Sequence, residues 1–578
     1  MEKYNISSAL LKNKINNPHF VSFGSRPKKI HHLILFLTII IFNFLPLGEG
    51  RWGCLYSQPV TQEWVRTYGY IDSLNDFLND MVIDTNGNVI VTGRIATNTQ
   101  NTNYATVKYS SSGQQQWAAI YNGIGTNSID EAVAVTVDKS GNVYVTGFSE
   151  HSGFLTDDYV TIKYNSSGVQ QWLARYDSGS LDDPVAIAVD NIGNVYVSGY
   201  SYITGADYLT IKYNNNGDSI WTRRYNGPAN GNDFARSMVF DRLGNVYVTG
   251  NSQSENCYTT IKYSETGQEL WVKKFVLGYA RGLKIAIDTN FNVFVTGNVW
   301  QNNKDDIVTL KYNSTGSLIW YARYGGLSNG NNDVSDIKID YSQNIYVTGM
   351  TNDGGIYGFD YVLIKYNQNG DSLWVRKYLN PNNYTNDRPN SIAVDNNGVY
   401  ITGYAADSND NLDATTLKYS HSGNLLWITR QPGGGKKIVV DKNNKVLVSG
   451  TIGTNVDFIT IKYNQPSGII SSSNGIPEQF SLSQNYPNPF NPKTHIEFAI
   501  PPSKGVRGMT AKIVIYDVLG REIAVLVNQQ LTPGTYEVEW DGSNYPTGVY
   551  FYRLTVFSSA HSKWSDEWSQ TRKMVLLK

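Results

Sequence analysis

An eightfold internal repeat between Trp64 and Tyr463 constrains the fold more than any other feature of the chain. Each copy carries a run like G-N-V-Y-V-T-G, a Lys-Tyr pair that closes a β-like run, and a tryptophan 49 to 55 residues from the next one. Units of this length bury their apolar faces against neighbouring copies. The closing glycines are Gly93, Gly147, Gly199, Gly250, Gly297, Gly349, Gly403 and Gly450; the lysines are Lys108, Lys163, Lys212, Lys262, Lys311, Lys365, Lys418 and Lys462; the tryptophans are Trp64, Trp117, Trp172, Trp221, Trp271, Trp320, Trp374 and Trp427.

Each copy contains the pattern of four strands. Strand A is an apolar run ending in aspartate, such as 185–190, and a turn with Gly and Asn leads to strand B, the V-Y-V-T-G run. Strand C is the D-Y-x-T-I-K-Y run, and strand D begins at the tryptophan. Alternating apolar residues and turn residues every 8–12 positions favour strands. Four-stranded units repeated about every 50 residues predict the blades of a β-propeller.

The two ends of the repeat predict a closed ring. The first copy begins with a D-type strand at Trp64, and the last copy stops after its C strand at Tyr463. The N-terminal strand can therefore complete the last blade and remove an exposed sheet edge. The sequence predicts an all-β chain with an eight-bladed β-propeller of four-stranded blades.

The residues after the repeat predict a second, smaller domain. A Ser/Gly-rich linker is expected at 466–480. Beyond it, alternating runs at 496–500, 513–518, 535–540 and 548–556 suit a small Ig-like β-sandwich. The expected organisation is a signal peptide region at 1–57, the propeller at 58–465, the linker, and a C-terminal domain at 481–578.

The N-terminal region has the pattern of an export signal. Arg26, Lys28 and Lys29 precede 15 mostly apolar residues at 33–47, which is short for a membrane span of about 20 residues. A signal peptide is therefore favoured over a membrane anchor, with cleavage near 55–57 and no membrane span in the mature chain. A lipoprotein signal through Cys54 is the weaker alternative, because 51–53 is a poor lead-in to a lipidated cysteine.

Two family resemblances follow from these motifs. The order D-x-x-G-N-V-Y-V-T-G followed by G-x-x-x-W resembles the bacterial SBBP repeat, which is named after seven-bladed propellers, whereas this chain carries eight copies. The C-terminal region resembles the type A C-terminal sorting domain of the type IX secretion system of Bacteroidetes-like bacteria. The matching stretches are N-Y-P-N-P-F-N-P at 485–492, Y-D-V-L-G-R-E at 516–522, P-T-G-V-Y at 546–550 and the ending at 573–578.

The second resemblance implies a route and a partner. Domains of this family direct export across two membranes and are then removed, so that the protein is released or attached to the outer surface. The type IX secretion machinery is the implied partner, and the protein is expected outside the cell or on its surface. The implied sorting-signal residues are Lys573, Met574, Leu576, Leu577 and Lys578.

Repeated polar residues favour architecture over chemistry. The aspartate that ends strand A, as in D-x-N-G-N at Asp84, resembles the opening of a calcium loop, but no late glutamate follows at the right distance. An aspartate that accepts hydrogen bonds from its own turn is the favoured interpretation. The G-x-x-x-W spacing is shared with tryptophan-docking repeats of quinoproteins, but the vicinal cysteines of such enzymes are missing, so packing between blades is expected.

No constellation predicts an enzyme. Histidines of the mature chain are widely spaced, and neither a P-loop nor a G-x-S-x-G elbow occurs. Acidic pairs could serve as the two carboxylates of a glycosidase, but they recur at equivalent positions and are expected to be architectural: 157–158, 182–183 and 305–306. The sequence therefore predicts no catalytic residues, no cofactor and no metal ligands.

The connections between strands indicate where a ligand binds. Antiparallel order puts the short A–B and C–D turns at one end of each blade and the variable B–C and D–A connections at the other. Variable loops on a rigid scaffold often carry binding residues, although they could also have drifted freely. The candidate ligand face carries the isolated aromatic residues Phe154, Tyr202, Trp300, Tyr357 and Tyr384.

The predicted function is a secreted or cell-surface binding scaffold whose ligand is a carbohydrate or a protein. The alternative is an extracellular propeller enzyme, either a polysaccharide lyase or hydrolase or a quinoprotein-like oxidoreductase. A formal net charge of −1 gives no reason to expect nucleic acid.

Overall fold

The structure is a computed structural model, in which sixteen stretches of the chain are described. They are 60–69, 74–98, 101–124, 128–150, 156–326, 330–352, 358–379, 387–406, 412–453, 456–465, 470–473, 477–502, 509–531, 533–543, 545–558 and 568–578. The predicted leader at 1–57 lies outside them. The described residues contain no helix with the length and hydrophobicity that crossing a membrane requires.

Strands β1 to β32 form eight four-stranded antiparallel sheets within the described repeat region, which confirms the predicted blade count. Blade 1 is β2 (Phe77–Ile83), β3 (Val89–Asn98), β4 (Asn101–Tyr109) and β5 (Gln115–Tyr121); blade 2 is β6 (Asp130–Val137), β7 (Val143–Glu150), β8 (Asp157–Tyr164) and β9 (Gln170–Tyr176); blade 3 is β10 (Asp182–Val189), β11 (Val195–Tyr202), β12 (Ala206–Tyr213) and β13 (Ser219–Tyr225); blade 4 is β14 (Asp233–Phe240), β15 (Val246–Ser252), β16 (Cys257–Tyr263) and β17 (Glu269–Val276).

The second half of the ring repeats the same order. Blade 5 is β18 (Tyr279–Ile287), β19 (Val293–Gln301), β20 (Lys304–Tyr312) and β21 (Leu318–Tyr324); blade 6 is β22 (Asn332–Ile339), β23 (Ile345–Thr351), β24 (Asp360–Tyr366) and β25 (Ser372–Tyr378); blade 7 is β26 (Arg388–Asp395), β27 (Gly398–Ala406), β28 (Leu412–Tyr419) and β29 (Leu425–Pro432); blade 8 is β30 (Gly434–Val440), β31 (Val446–Ile452), β32 (Asp457–Asn464) and the N-terminal β1 (Thr61–Tyr68).

The ring closes through the N-terminal strand, as predicted. The last sheet has the order β1-β32-β31-β30, and β1 pairs antiparallel with β32, with Trp64 opposite Lys462 and Tyr68 opposite Phe458. Strand β2 of blade 1 packs against β30 of blade 8. The unpaired edge that β32 would otherwise present is thereby covered.

The burial pattern explains the strong β signal of the repeat. The B and C strands of blade 2, β7 and β8, are buried along most of their length, whereas every residue of the outer D strand β9 is exposed or half-buried. A hydrophobic cluster forms where two blades meet: Tyr144 and Tyr159 of blade 2 pack with Val197 and Ile211 of blade 3. Inner strands are therefore apolar on both faces, and the core lies between the blades.

A bulge in every A strand accounts for the repeated glycine of strand B. In blade 2 the register shifts between Ala132 and Ala134, and in blade 8 between Gly435 and Lys437. The bulged chain brings the Glu131 carbonyl to 2.0 Å from the place where a Cβ of Gly147 would lie. No side chain fits at that distance, so the B strand needs glycine opposite the bulge.

The C-terminal region forms two further four-stranded antiparallel sheets, and one hydrophobic core contains residues of both. One sheet has the order β33-β38-β35-β34 and the other β37-β36-β39-β40. This arrangement agrees with the predicted small sandwich. The strands are β33 (Ile470–Ser473), β34 (Ser481–Leu482), β35 (Lys493–Ile500), β36 (Met509–Tyr516), β37 (Glu522–Leu531), β38 (Gly534–Asp541), β39 (Gly548–Ser558) and β40 (Trp568–Leu576).

The segment predicted as a linker contributes one of these strands. Strand β33 lies within 466–480 and pairs antiparallel with β38, with Ile470 opposite Glu537. The remaining boundaries of the predicted organisation stay predictions.

Candidate functional site

We call the end of the propeller that carries the A–B and C–D turns the turn end, and the end with the B–C and D–A connections the loop end. At the turn end, the aspartate that closes strand A holds its own turn. The Asp138 carboxylate accepts the backbone N–H groups of Ser140 and Asn142, both at 2.9 Å, and the side-chain amide of Asn142 at 2.7 Å. Asp84 makes the same three contacts with Asn86 and Asn88. These bonds confirm the turn interpretation.

The C-strand lysines are tied down at the same end. Lys163 Nζ of blade 2 donates to the Asn215 carbonyl of blade 3 at 3.2 Å, and Lys365 of blade 6 donates to the His421 carbonyl of blade 7 at 2.9 Å. Lys108 pairs with Asp84 of its own blade at 3.1 Å. Burial lowers the pKa of Lys163. Each of the eight lysines in the described repeat finds such an oxygen; the other five reach Glu265, Ser314, Gln368, Gln465 and Ser111.

The repeated tryptophans dock each blade on the next. The Trp172 indole N–H donates to the Asn215 carbonyl at 3.0 Å, so one carbonyl receives both the lysine and the tryptophan of the preceding blade. Gly217, with φ of 89°, brings its backbone against the indole, and a Cβ there would lie 2.8 Å from Trp172 Cδ2. The G-x-x-x-W spacing therefore serves blade packing, as predicted.

At the loop end, two of the five predicted ligand-face aromatics are described. Trp300 is 47% exposed at the end of β19, opposite Asp305 of β20. Tyr202 is half-buried at the end of β11 and lies edge-on to Tyr200 and Phe234. Tyr202 belongs to blade 3 and Trp300 to blade 5, and no described contact joins them. Phe154, Tyr357 and Tyr384 lie outside the described residues.

Most of the acidic groups at the loop end are used within the scaffold. The buried Asp130 and Asp233, which begin their A strands, accept the N–H groups of Gly123 and Gly227, both at 2.6 Å. On the C strands, Asp158 pairs with Arg175, and Asp207 pairs with Arg224 at 2.6 Å. Most of these carboxylates therefore close loops or neutralise an arginine.

Blades 2 and 3 concentrate these carboxylates most strongly. Oxygens of Asp158, Asp177 and Asp182 lie within 4.8 Å of one another. Asp182 also accepts the N–H of Ser178 at 2.8 Å, so it closes its loop like the equivalent aspartates. Burial, with further repulsion from Asp183 and Glu150, raises the pKa of Asp157 to about 7.

A cavity of about 830 Å³ opens at the loop end between blades 7, 8 and 1. Blade 7 contributes Tyr404, Leu412 and Pro432, blade 8 contributes the run from Gly433 to Lys436, and blade 1 contributes Phe77. Neither Tyr202 nor Trp300 lines it. The sequence did not lead us to predict this site, but it did contain one signal: three consecutive glycines stand where other copies carry larger residues.

The predicted sorting residues belong to the last strand and its end. Met574 and Leu576 are buried in the core of the C-terminal sheets, whereas Lys573, Leu577 and Lys578 are exposed. The Leu577 N–H donates to the Phe490 carbonyl at 2.9 Å, and Lys578 Nζ donates to the Ser543 carbonyl at 2.8 Å. The chain end is thus held by the domain it closes.

Comparison with known families supports both resemblances. Residues 484–564 match the model of the secretion system C-terminal sorting domain, and residues 220–256 match the model of the beta-propeller repeat known as SBBP. An uncharacterized WD repeat-containing protein of Acanthamoeba polyphaga mimivirus is 24% identical over 473 residues, and the match covers 66% of this chain. It covers only 30% of that relative's own length.

Similar solved structures include BamB from Moraxella catarrhalis and Sqt1 from Chaetomium thermophilum. The first has 14% sequence identity and a TM-score of 0.42, the second 8% and 0.46, and each match covers 70% of this chain and all of the other. The propeller and the type IX sorting domain together imply a secreted propeller protein, exported to the cell surface or beyond it.

Proposed function

We propose that the protein is a secreted or surface-attached binding module, which holds a ligand at the loop end of the propeller and catalyses no reaction. One observation carries this proposal. The repeated polar residues at the turn end are bonded to the scaffold, whereas the loop end holds a cavity of about 830 Å³. Concave sites of this size suit a ligand better than the closed turns do.

The chemistry of the loop end supports a carbohydrate or a protein as the ligand. Trp300 offers a large exposed indole, and Tyr404 and Phe77 line the cavity. Aromatic rings beside amides and hydroxyl groups contact the apolar faces of sugars or the side chains of a partner. A rigid ring keeps such groups in place at a low entropic cost.

A binding screen with matched variants tests this proposal. The purified full chain would be applied to an array of neutral and charged glycans and to a panel of extracellular proteins. At least one of the loop-end variants Trp300→Ala and Tyr404→Ala should weaken capture about tenfold. Tyr341→Ala, which removes an 86% exposed aromatic from an A–B turn, should leave it unchanged. Loss of capture with Tyr341→Ala and not with loop-end variants would place the ligand at the turn end and contradict us.

One observation favours a polysaccharide lyase or hydrolase as the second candidate. Asp157, with its pKa raised to about 7, lies close enough to Asp183 for mutual repulsion, and a carboxyl that stays protonated near neutrality suits a general acid. Incubation with a polysaccharide panel, with product detection by chromatography, tests this. Turnover that disappears in Asp157→Asn would overturn the proposal of a purely binding role.

A further inference from the structure

One position in the A strand differs in blade 8 from all the others. The bulge register places Gly434 of strand A opposite Thr451 of strand B. The strand B residues that correspond to Thr451 are Tyr200 in blade 3 and Tyr404 in blade 7. The other seven blades carry an aromatic or charged side chain at this position: Phe77, Glu131, Asp183, Phe234, Arg281, Asp333 and Arg388.

In blades 4 and 2 this side chain fills the gap to the preceding blade. Phe234 of blade 4 packs edge-on against Tyr200 of blade 3, with 4.9 Å between ring centroids. Glu131 of blade 2 pairs with Arg94 of blade 1 at 2.7 Å. Tyr404 is the tyrosine of blade 7 that corresponds to Tyr200, and within the described residues no aromatic ring packs against it. The glycine thus leaves one face of the tyrosine open to the cavity.

The backbone does not require glycine at this position. A Cβ on Gly434 would lie 3.7 Å from Thr451 Oγ1 and 4.0 Å from Tyr404 Cβ, which are ordinary contact distances. At Gly433 it would lie 2.0 Å from the Thr451 carbonyl, and at Gly435 it would lie 2.4 Å from Thr402 Oγ1. At the two flanking positions the close approach of neighbouring strands leaves no room for a side chain. At Gly434 there is room for one, so the glycine there leaves an open space that the fold does not require.

The lining of this space combines an aromatic face with neutral polar groups. Asn79 and Asn390 donate their amide N–H groups to the carbonyls of Ala132 and Gly435, at 2.9 and 2.6 Å, which orients both side chains. Their side-chain oxygens accept no hydrogen bond within the described residues and are available to hydroxyl donors. Among the described lining residues, Asp413 and Lys436 contribute one charge of each sign, so this part of the lining has no net charge.

We propose that this cavity binds a neutral saccharide, with one sugar ring against Tyr404 and its hydroxyl groups bonded to the two asparagine oxygens. The proposal deepens the function proposed above and rests on it. A pyranose has an apolar C–H face and a hydroxylated rim, which match an exposed aromatic ring flanked by amides. The absence of a net charge among the described lining residues favours a neutral sugar over an acidic one.

Refilling the gap tests the proposal. The full chain would be titrated with neutral gluco-, manno- and galacto-oligosaccharides by calorimetry. Gly434→Phe, which restores the residue type that blade 4 carries, should weaken binding at least tenfold, and Tyr404→Ala should do the same. Tyr200→Ala, the equivalent change beneath Phe234, should leave affinity unchanged. If a melting experiment shows that Gly434→Phe does not fold, the affinity of the Tyr404→Ala variant tests the proposal alone.

Two outcomes overturn the inference and leave the proposed function standing. In the first, neutral oligosaccharides bind with the same affinity to the Gly434→Phe and Tyr404→Ala variants, so the sugar lies elsewhere. In the second, none of them binds at millimolar concentration, but a protein or an acidic glycan is captured in a manner that depends on Trp300. A chain that captures nothing at the loop end refutes both proposals.

Discussion

The junction between blades 3 and 4 and the junction between blades 7 and 8 have the same strand register but different fillings. In the first, Phe234 covers Tyr200, with 4.9 Å between ring centroids. In the second, Gly434 stands where Phe234 does, and a cavity of about 830 Å³ opens beside Tyr404. In this repeat scaffold a cavity opens at the copy that departs from the repeat, and not at residues that all copies share.

The turn end explains why such a departure is tolerated. In five of the eight described blades a tryptophan and a lysine reach one carbonyl of the next blade, as Trp172 and Lys163 reach Asn215. At the junction between blades 7 and 8, Lys418 reaches the Gln465 side chain, and Trp427 packs in the hydrophobic cluster that the two blades share. These ties are independent of the residue at the loop end of strand A. One junction can therefore lose a side chain at the loop end while its blades remain docked.

The largest expected effect comes from opening the closed junction. Phe234→Gly removes a ring that is 9% exposed and leaves Tyr200 uncovered, as Tyr404 is at the other junction. Truncation of a buried phenylalanine costs about 3–5 kcal/mol. Urea unfolding of the full chain, followed by tryptophan fluorescence, should show this loss. An unchanged midpoint would mean that the two junctions do not differ in packing.

A smaller effect is expected where acidic groups crowd the loop end. The folded pKa of Asp157 is raised to about 7, above the unfolded value of about 3.9, so the native state binds more protons. The stability that this group contributes is fully present below about pH 4 and is lost as the pH rises through 7. A difference of about 3 between the two pKa values corresponds to about 4 kcal/mol. Solvent screening at this partly exposed carboxyl reduces the effect, so Asp157→Asn should stabilise the chain by on the order of 1–3 kcal/mol above pH 7.

The pH dependence supplies the control for that variant. Thermal melting of both proteins from pH 4 to pH 8 should show curves that coincide at pH 4 and separate as the pH rises. A constant difference at every pH would show that titration of this carboxyl is not responsible.

At the turn end, a moderate effect is expected from removing one of the two donors. Lys163→Met keeps most of the buried volume but removes the ammonium group from the Asn215 carbonyl, which retains the Trp172 indole at 3.0 Å. The loss of a charged hydrogen bond should cost about 1–2 kcal/mol. Chemical denaturation measures it. A cost as large as that of Phe234→Gly would make the lysine, and not ring packing, the dominant tie.

The smallest effect is expected at the open junction itself. Gly434→Ala adds a Cβ that meets only ordinary contacts, and it reduces the freedom of the unfolded chain. The variant should therefore gain about 0.4–1 kcal/mol. Differential scanning calorimetry can resolve this gain. A loss of stability would mean that glycine is required by the backbone here, and the comparison of the two junctions would lose its basis.

Much of the architecture could be predicted because the repeat presents the same information eight times. The four-strand pattern, the closing strand at Trp64, the aspartate turns and the docking tryptophans all follow from local spacing. The loop-end aromatics were predicted from their isolation in variable loops, and their part in binding stays a prediction. Tyr202 packs against its neighbours, which its position in the sequence did not reveal.

The sequence by itself determined the blade and the number of blades, because strand alternation and turn chemistry act between residues close in the chain. The D-type strand at Trp64 and the missing D strand after Tyr463 predicted the closure of the ring, and the sorting domain was recognised by its resemblance to a known family. Only the tertiary structure decided where the cavity lies. The bulge in strand A sets which residue of the glycine run faces the gap, and the tyrosine that it leaves uncovered belongs to another blade, 30 residues earlier. A cavity is lined by residues from several blades, so it can be located only when the tertiary structure places those residues together.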